Sequence, residues 1–463
     1  MGKSARALAV SAFLAVATLA SELGAGAINS SNAQNANPPS TLAAGSALAS
    51  GQSLTSPGGR YKLSMETDGN LVLHWLTQQV WDSNTSGHAG ADALMQRDGN
   101  FVVYLGKRPL WSSGSGGHPR AAYKLSLLDA GDFVIDTPTG AELYSSRTET
   151  AGVRIDRSLT PAFDGDAGDP DIVRFGTTYY AFTTGTALGN HIQVLVDTGG
   201  PASGYHSYTG EDYGSTALPD PPAWEQPNTQ TSPGVVAYGG QYVMFYDASM
   251  AGHPAATGYD CISVATARTI TPEHPVFSDD SKGPLICDDP IGVLDPTPFV
   301  DSATGKAYLL WKSNDGASSQ ASHIWSQELN SSGTGVVGSP VDLLTVNTVR
   351  FRWETTLDDP FLAFKNGRYF LMFSSGLWHS SSYDEAFAIC SGPARPCEQP
   401  AGGPFLTSYG AAYGTGGGSL FTDTAGNWWI AYAAWDSSRC QSYSCGAVRV
   451  LYVSPIDLGA NNP

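Results

Sequence analysis

Five copies of one hairpin unit run through the last two thirds of the chain, and their spacing limits the fold more than any other feature. Each unit opens a strand with a short polar step, turns tightly and returns along an aromatic strand. The first is Gly168-Asp-Pro-Asp-Ile-Val-Arg-Phe-Gly-Thr-Thr-Tyr-Tyr-Ala-Phe-Thr-Thr184. The second starts at Ser232-Pro233, turns at Gly239-Gly240 and returns over 242–246; the third starts at Asp295-Pro296, turns at Thr304-Gly305 and returns over 307–311. The fourth starts at Asp359-Pro360, turns at Asn366-Gly367 and returns over 369–373; the fifth starts at Gly418-Ser419, turns at Gly426 and returns over 428–432. Pro170, Pro233, Pro296 and Pro360 lie 63, 63 and 64 residues apart, and Ser419 follows 59 further on. A near-constant period marks a radial or solenoid array. Units of this length, rich in aromatic and β-branched residues with Gly turns, suit four-stranded propeller blades. Residues 157–463 are therefore expected to form a five-bladed β-propeller. Equivalent ends of its innermost strands converge on the central channel, so Asp169, Asp295 and the Asp358-Asp359 pair are expected to meet there.

A second, shorter period precedes it. Glu66-Thr-Asp-Gly-Asn70-Leu-Val72, Gln96-Arg-Asp-Gly-Asn100-Phe-Val102 and Leu128-Asp-Ala-Gly-Asp132-Phe-Val134 align, with Gly69, Gly99 and Gly131 spaced by 30 and 32 residues. Three such units over 47–150 suit a threefold β-prism. In the middle unit Gln96, Asp98, Asn100, Val102 and Tyr104 are all even-numbered, so a strand of period two carries them on one face. That face offers donors and acceptors around an aliphatic contact, as a hexose with vicinal hydroxyls requires. The motif Gln-x-Asp-x-Asn-x-Val-x-Tyr resembles the bulb-type mannose-binding lectins. The resemblance implies that Gln96, Asp98 and Asn100 hold the sugar 2-hydroxyl region, Tyr104 the 4-hydroxyl, and Val102 the ring. The first unit departs from the motif at Glu66 and His74; the third departs at Leu128, Ala130 and Asp136 and is not expected to bind.

Composition agrees with an all-β, exported chain. Charged residues are only 14%, against 53 Gly and 29 Pro, as turn-rich β proteins need. A net charge of −18 argues against nucleic-acid or anionic-membrane partners. Lys3 and Arg6 precede an apolar run from Ala7 to Ala20 and then Ala25-Gly26-Ala27. Residues 1–27 therefore read as a secretory signal peptide, too short in its apolar run to span a bilayer. Residues 28–46, rich in Asn, Ser, Ala and Pro, read as a flexible linker. The six cysteines fall into the near pairs Cys261/Cys287, Cys390/Cys397 and Cys440/Cys445. In an exported chain an even count reads as disulfides, with these local pairings expected among the possible connectivities. None has metal-site spacing, and neither metal nor cofactor is expected.

The propeller region resembles glycoside hydrolase family 43, the five-bladed arabinofuranosidases and xylosidases. Its landmarks here are Gly168-Asp-Pro-Asp-Ile, Tyr259-Asp-Cys-Ile-Ser-Val-Ala265, Leu294-Asp-Pro-Thr-Pro-Phe299, Trp353-Glu354, Cys390-Ser-Gly-Pro-Ala-Arg-Pro-Cys397 and Trp429-Ile-Ala-Tyr-Ala-Ala-Trp435. The resemblance implies an inverting glycosidase in which one carboxylate activates water and a protonated carboxyl feeds the leaving oxygen. Asp169 is then the base and Asp295 the third carboxylate, raising the acid's pKa by like-charge proximity. The family's Glu-x-Pro acid step reads Asp358-Asp359-Pro360 here, which makes Asp358 the acid. Its side chain is shorter by about 1.5 Å, and Glu354, four residues earlier, is the alternative. The family's Trp-Ala-Pro step is Thr231-Ser232-Pro233, and Ala433 stands where a His is usual. The expected function is removal of arabinofuranosyl or xylosyl units from plant polysaccharide, beside mannose-type glycan binding by the prism. The competing class is a non-catalytic carbohydrate-binding protein with a degenerate propeller.

Overall fold

In a computed structural model the described residues are 39–459, apart from 129–130, 147–152, 185–191, 209–214, 253–258, 288–291, 314–320, 401–402 and 438–439. The expected signal peptide and residues 28–38 of the expected linker lie outside them, as does Ala130. Among the described residues every sheet is antiparallel and the sole helical element is a 3-10 turn at Tyr443–Cys445.

The N-terminal part is three four-stranded sheets around one core, and the first strands of the second and third sheets come from well ahead of their hairpins. Thr41–Ala43 pairs with Lys124–Leu127 in the third sheet, Ala47–Leu48 with Asp92–Met95 in the second, and Ser53–Thr55 with Tyr61–Met65 in the first. Thr41–Ala43 thus belongs to the prism although it was expected in the linker. The short apolar run around Leu42 explains this, since the Leu42 side chain is buried in the shared core. Aromatic residues from the three units meet there edge to face: Trp81 on Trp111 at 5.3 Å and on Phe133 at 5.0 Å, and Phe101 on Trp111 at 6.2 Å. Such pairs add about 0.5–1.5 kcal/mol each beyond the area they bury.

The C-terminal part is a propeller of five sheets. Their inner strands are Asp171–Phe175, Thr231–Tyr238, Val293–Val300, Asp358–Lys365 and Tyr413–Thr422. Each pairs with the aromatic strand that follows it, through the Gly turns seen in the sequence. The last sheet is closed from outside the expected boundary. Arg154–Ile155, ahead of the expected start at residue 157, pairs with Arg449–Asp457. Two residues of strand carry too little periodicity to be legible, and Ile155 is buried by the partner it finds late in the chain.

All six cysteines are paired as the local scheme expects: Cys261–Cys287, Cys390–Cys397 and Cys440–Cys445.

Candidate active site

Each inner strand begins with a backbone distortion, and that distortion builds the site. Asp169, Ser232, Asp295 and Asp359 have φ of 47°, 48°, 56° and 47°, and Gly417 takes φ 70° at the matching point of the fifth blade. Four of the eight non-Gly residues at positive φ among those described are these. Left-handed Asp is tolerated better than most residues, but strain of about 1–3 kcal/mol each persists only where the surroundings enforce it. The enforcement is visible in the ladders. Register slips between Thr231 and Gly234, Leu294 and Thr297, Asp358 and Phe361, and Gly416 and Ser419. The bulge turns the left-handed residue toward the axis. Asp169, Asp295 and Asp359 line one narrow channel of about 30 Å³, together with Asp171, Ser232, Gly417 and Ser419. Asp358 does not line it.

Hydrogen bonds from one blade to the next hold this ring. Opposite the start of each inner strand, the second strand carries near its end a residue that faces the next blade. Thr184 Oγ1 accepts from the Ser232 N–H at 3.2 Å, and Asp247 Oδ2 from the Asp295 N–H at 2.9 Å. Lys312 Nζ donates to Asp358 Oδ1, and Ser374 Oγ accepts from the Gly417 N–H at 2.8 Å. The fifth such position is Ala433, opposite Gly416, and its methyl group can do neither. There Arg449, on the adjacent strand, reaches Asp169 instead with two bonds, Nη1 to Oδ1 at 2.6 Å and Nη2 to Oδ2 at 3.0 Å. Thr184 Oγ1 also donates to Asp169 Oδ2 at 2.5 Å.

The carboxyl groups differ sharply in their surroundings. Asp295 accepts from Ser232 Oγ at 3.0 Å and from the Asp359 N–H at 3.0 Å. Burial pushes it up to about 6, with Lys312 pulling it down and Asp358 and Asp169 pushing it up. Asp359 accepts from Tyr383 Oη at 2.5 Å. Burial first, then Asp295, Asp169 and Asp358, hold it well above the usual carboxylate range. Asp358 is instead bound by the Lys312 ammonium on Oδ1 and by Thr356 Oγ1 on Oδ2 at 2.8 Å. Glu354 is fully buried, its oxygens taken by the Asn347 N–H and Gln399 Nε2, both at 2.6 Å.

Of the expected residues the structure therefore brings Asp169 and Asp295 to the channel and leaves Asp358 one position behind it. Lys312, Arg449, Asp247 and Tyr383 were missed. A signal existed for two of them: Asp247 and Lys312 each follow directly on a buried aromatic strand, after Tyr246 and Trp311, where a charged residue needs a reason. Tyr383 carried no such mark.

The profile of glycosyl hydrolases family 43 matches residues 159–462. The chain belongs to that family. Among solved structures, a thermostable family-43 glycoside hydrolase is 19% identical, with a TM-score of 0.53 over 64% of this chain and 95% of its own. An α-L-arabinofuranosidase from Lactobacillus brevis is 18% identical, with a TM-score of 0.51 over 65% and 92%. An endo-1,4-β-xylanase from Bacteroides thetaiotaomicron is 20% identical, with a TM-score of 0.50 over 65% and 97%. Identities this low establish the five-bladed family-43 fold and no more. No curated protein matches. The family-43 propeller makes the chain a glycosidase.

In the prism, the middle unit is arranged differently from a continuous strand. Gln96 to Asn100 form the hairpin turn, with Gly99 at φ 91°, and only Phe101–Leu105 is strand. The period-two face thus extends over the return strand alone. Gln96 Nε2 donates to Tyr104 Oη at 2.8 Å, and Asp98 Oδ1 accepts from the Asn100 N–H at 3.2 Å. Asn100 Oδ1 accepts from Ser113 Oγ at 3.0 Å. The other units repeat that last bond, Asn70 with Ser83 at 3.1 Å and Asp132 with Ser146. The side-chain oxygen of Asn100 is therefore structural. Val102 is only 2% exposed, leaving little of it for a sugar ring.

Proposed function

We propose that this family-43 glycosidase is secreted, acts with inversion and removes α-L-arabinofuranosyl or β-D-xylosyl units from plant polysaccharide. The observation that carries this reading is the convergence of Asp169, Asp295 and Asp359 at equivalent left-handed positions around one channel. The activities named for the similar structures, an α-L-arabinofuranosidase and an endo-1,4-β-xylanase, support a pentosyl substrate.

In this reading Asp169, fixed in the fork of Arg449, takes a proton from the attacking water. Fork geometry sets the carboxylate's direction as well as its charge. Asp295 orients the acid step through the Asp359 N–H and adds negative charge beside it. Inversion requires the base and acid carboxyls roughly 6.5–9.5 Å apart, with water between base and sugar. The prism serves as a mannose-binding module through Gln96, Asp98, Asn100 and Tyr104. It raises the enzyme's local concentration on glycan.

The test is hydrolysis of nitrophenyl α-L-arabinofuranoside and β-D-xyloside, with the anomer of the first product read by NMR. The parent is expected to release the inverted sugar, and Asp169→Asn to lose at least about a hundredfold in turnover. A product of retained configuration, or an Asp169→Asn variant as active as the parent, would overturn the reading.

A further inference from the structure

We infer that Asp359, rather than Asp358 or Glu354, gives the proton to the departing sugar oxygen; this rests on the hydrolase reading above. Three carboxyl groups stand close enough in sequence to serve, and geometry separates them. Glu354 has no exposed surface and both its oxygens are occupied, by Asn347 and Gln399. It braces the segment ahead of the fourth blade. Asp358 is held on one oxygen by Lys312 and on the other by Thr356, and it does not line the channel. To carry a proton it must first give up a buried ion pair, leaving the ammonium uncompensated.

Asp359 is the fourth-blade counterpart of Asp169 and Asp295, with the same left-handed backbone as both and the same bulge beside it as Asp295. It lines the channel with both. Its Oδ2 accepts from Tyr383, and no other hydrogen bond reaches its carboxyl group from the described residues. With Oδ2 accepting from the phenol, the acidic hydrogen of the neutral form sits on Oδ1. Asp169, Asp295 and Asp358 surround it, and the two nearby cations are committed elsewhere, Lys312 to Asp358 and Arg449 to Asp169. Burial among like charges favours the neutral acid, the form a proton donor needs before reaction.

The step balances. The oxygen of water bonds to the anomeric carbon while Asp169 takes one of its protons. The bond from that carbon to the glycosidic oxygen breaks, and that oxygen receives the proton from Asp359 Oδ1. Asp359 ends as carboxylate and Asp169 as acid, and solvent exchange restores both.

Proton donation matters most when the leaving group is poor, so the decisive comparison is between two leaving groups. Parent, Asp359→Asn, Asp358→Asn and Glu354→Gln are assayed on an arabino-oligosaccharide and on dinitrophenyl arabinofuranoside, with near-UV circular dichroism as the folding control. Asp359→Asn is expected to lose about 10²–10⁴-fold on the oligosaccharide and less than about tenfold on the dinitrophenyl substrate. It also loses the alkaline limb of the pH–rate profile. Asp358→Asn, which unpairs Lys312, is expected to lower both substrates together. A selective loss in Asp358→Asn or Glu354→Gln, with Asp359→Asn sparing the ratio, overturns the assignment and leaves the hydrolase reading standing. A folded parent inert on both substrates overturns both. If Asp359→Asn does not fold, Tyr383→Phe decides. Losing that donor must move the parent's alkaline limb upward, and an unmoved limb refutes the assignment.

Discussion

At the scale of single residues, the site depends on two cations that sequence patterns do not flag as catalytic. Lys312 and Arg449 each neutralise one of the carboxylates crowded at the strand starts, and both are largely buried. Breaking a buried pair from one side costs about 3–5 kcal/mol, because the remaining charge is left unsolvated. Lys312→Met is therefore expected to lower the stability of the folded chain by about that amount in a urea titration. Lys312→Met combined with Asp358→Leu is expected to regain most of it. If the double variant is as unstable as the single one, the pair is not what holds that corner. In the prism, Asn100 and Gln96 separate structure from recognition. Among the described residues the Gln96 side chain is hydrogen-bonded to Tyr104, whereas the Asn100 side chain accepts from Ser113. Both Gln96→Ala and Asn100→Ala are expected to lose retention on a mannose column. Asn100→Ala alone is expected to lose about 1 kcal/mol of stability with it. Full retention by Gln96→Ala would contradict the mannose site.

At the scale of elements, the fifth inner strand is shaped by what the fourth blade pushes against it. A Cβ on Gly416 would lie 2.4 Å from the Tyr383 ring, and one on Gly418 2.4 Å from Glu385 Oε1. Gly416 thus leaves room for the Tyr383 ring that reaches Asp359, and Gly418 for the Glu385 carboxyl. Gly416→Ala is expected to destabilise by about 1–3 kcal/mol through overpacking and to shift the alkaline limb as Tyr383→Phe does. A variant with normal melting and an unchanged limb would show that the ring has room. The short hairpins are legible for a different reason. Gly turns and alternation recur five times, and recurrence turns a weak local signal into a strong one. Arg154–Ile155 occurs once and is two residues long, so nothing local marks it.

At the scale of the whole molecule, the prism and the carboxylates sit at opposite ends of the propeller. Arg60 Nη1 donates to the Ile456 carbonyl at 3.1 Å, Gln78 Nε2 to the Ile155 carbonyl at 2.7 Å, and Tyr61 to Asp457. Asp457 is also paired with Lys365, at the far end of the strand that Asp358 begins. The propeller also carries a collective pH response. Burial pushes Asp171 up to about 7, Glu225 to about 7 and Glu385 to about 8. A carboxyl whose folded pKa lies above its unfolded value contributes fully below about pH 4, and that contribution is lost as pH rises through the folded pKa. The melting temperature is expected to fall between pH 5 and pH 8.5, a window set by those values. Glu385→Gln, neutral throughout, is expected to flatten part of the fall. A melting temperature that rises over that window would contradict the sign.

From the sequence alone came the all-β class, the five blades, the threefold prism, the cysteine pairs and the meeting of Asp169 with Asp295. Each rests on a period or a local spacing, and periods survive without tertiary knowledge. Tertiary structure alone decided which member of Asp358-Asp359 faces the channel. Adjacent strand residues point to opposite sides, and a single bulged residue exchanges them. It also decided the partners of Lys312, Arg449 and Tyr383. Those contacts join residues 24 to 280 positions apart in the chain, and such pairing is set by packing, which no local pattern encodes.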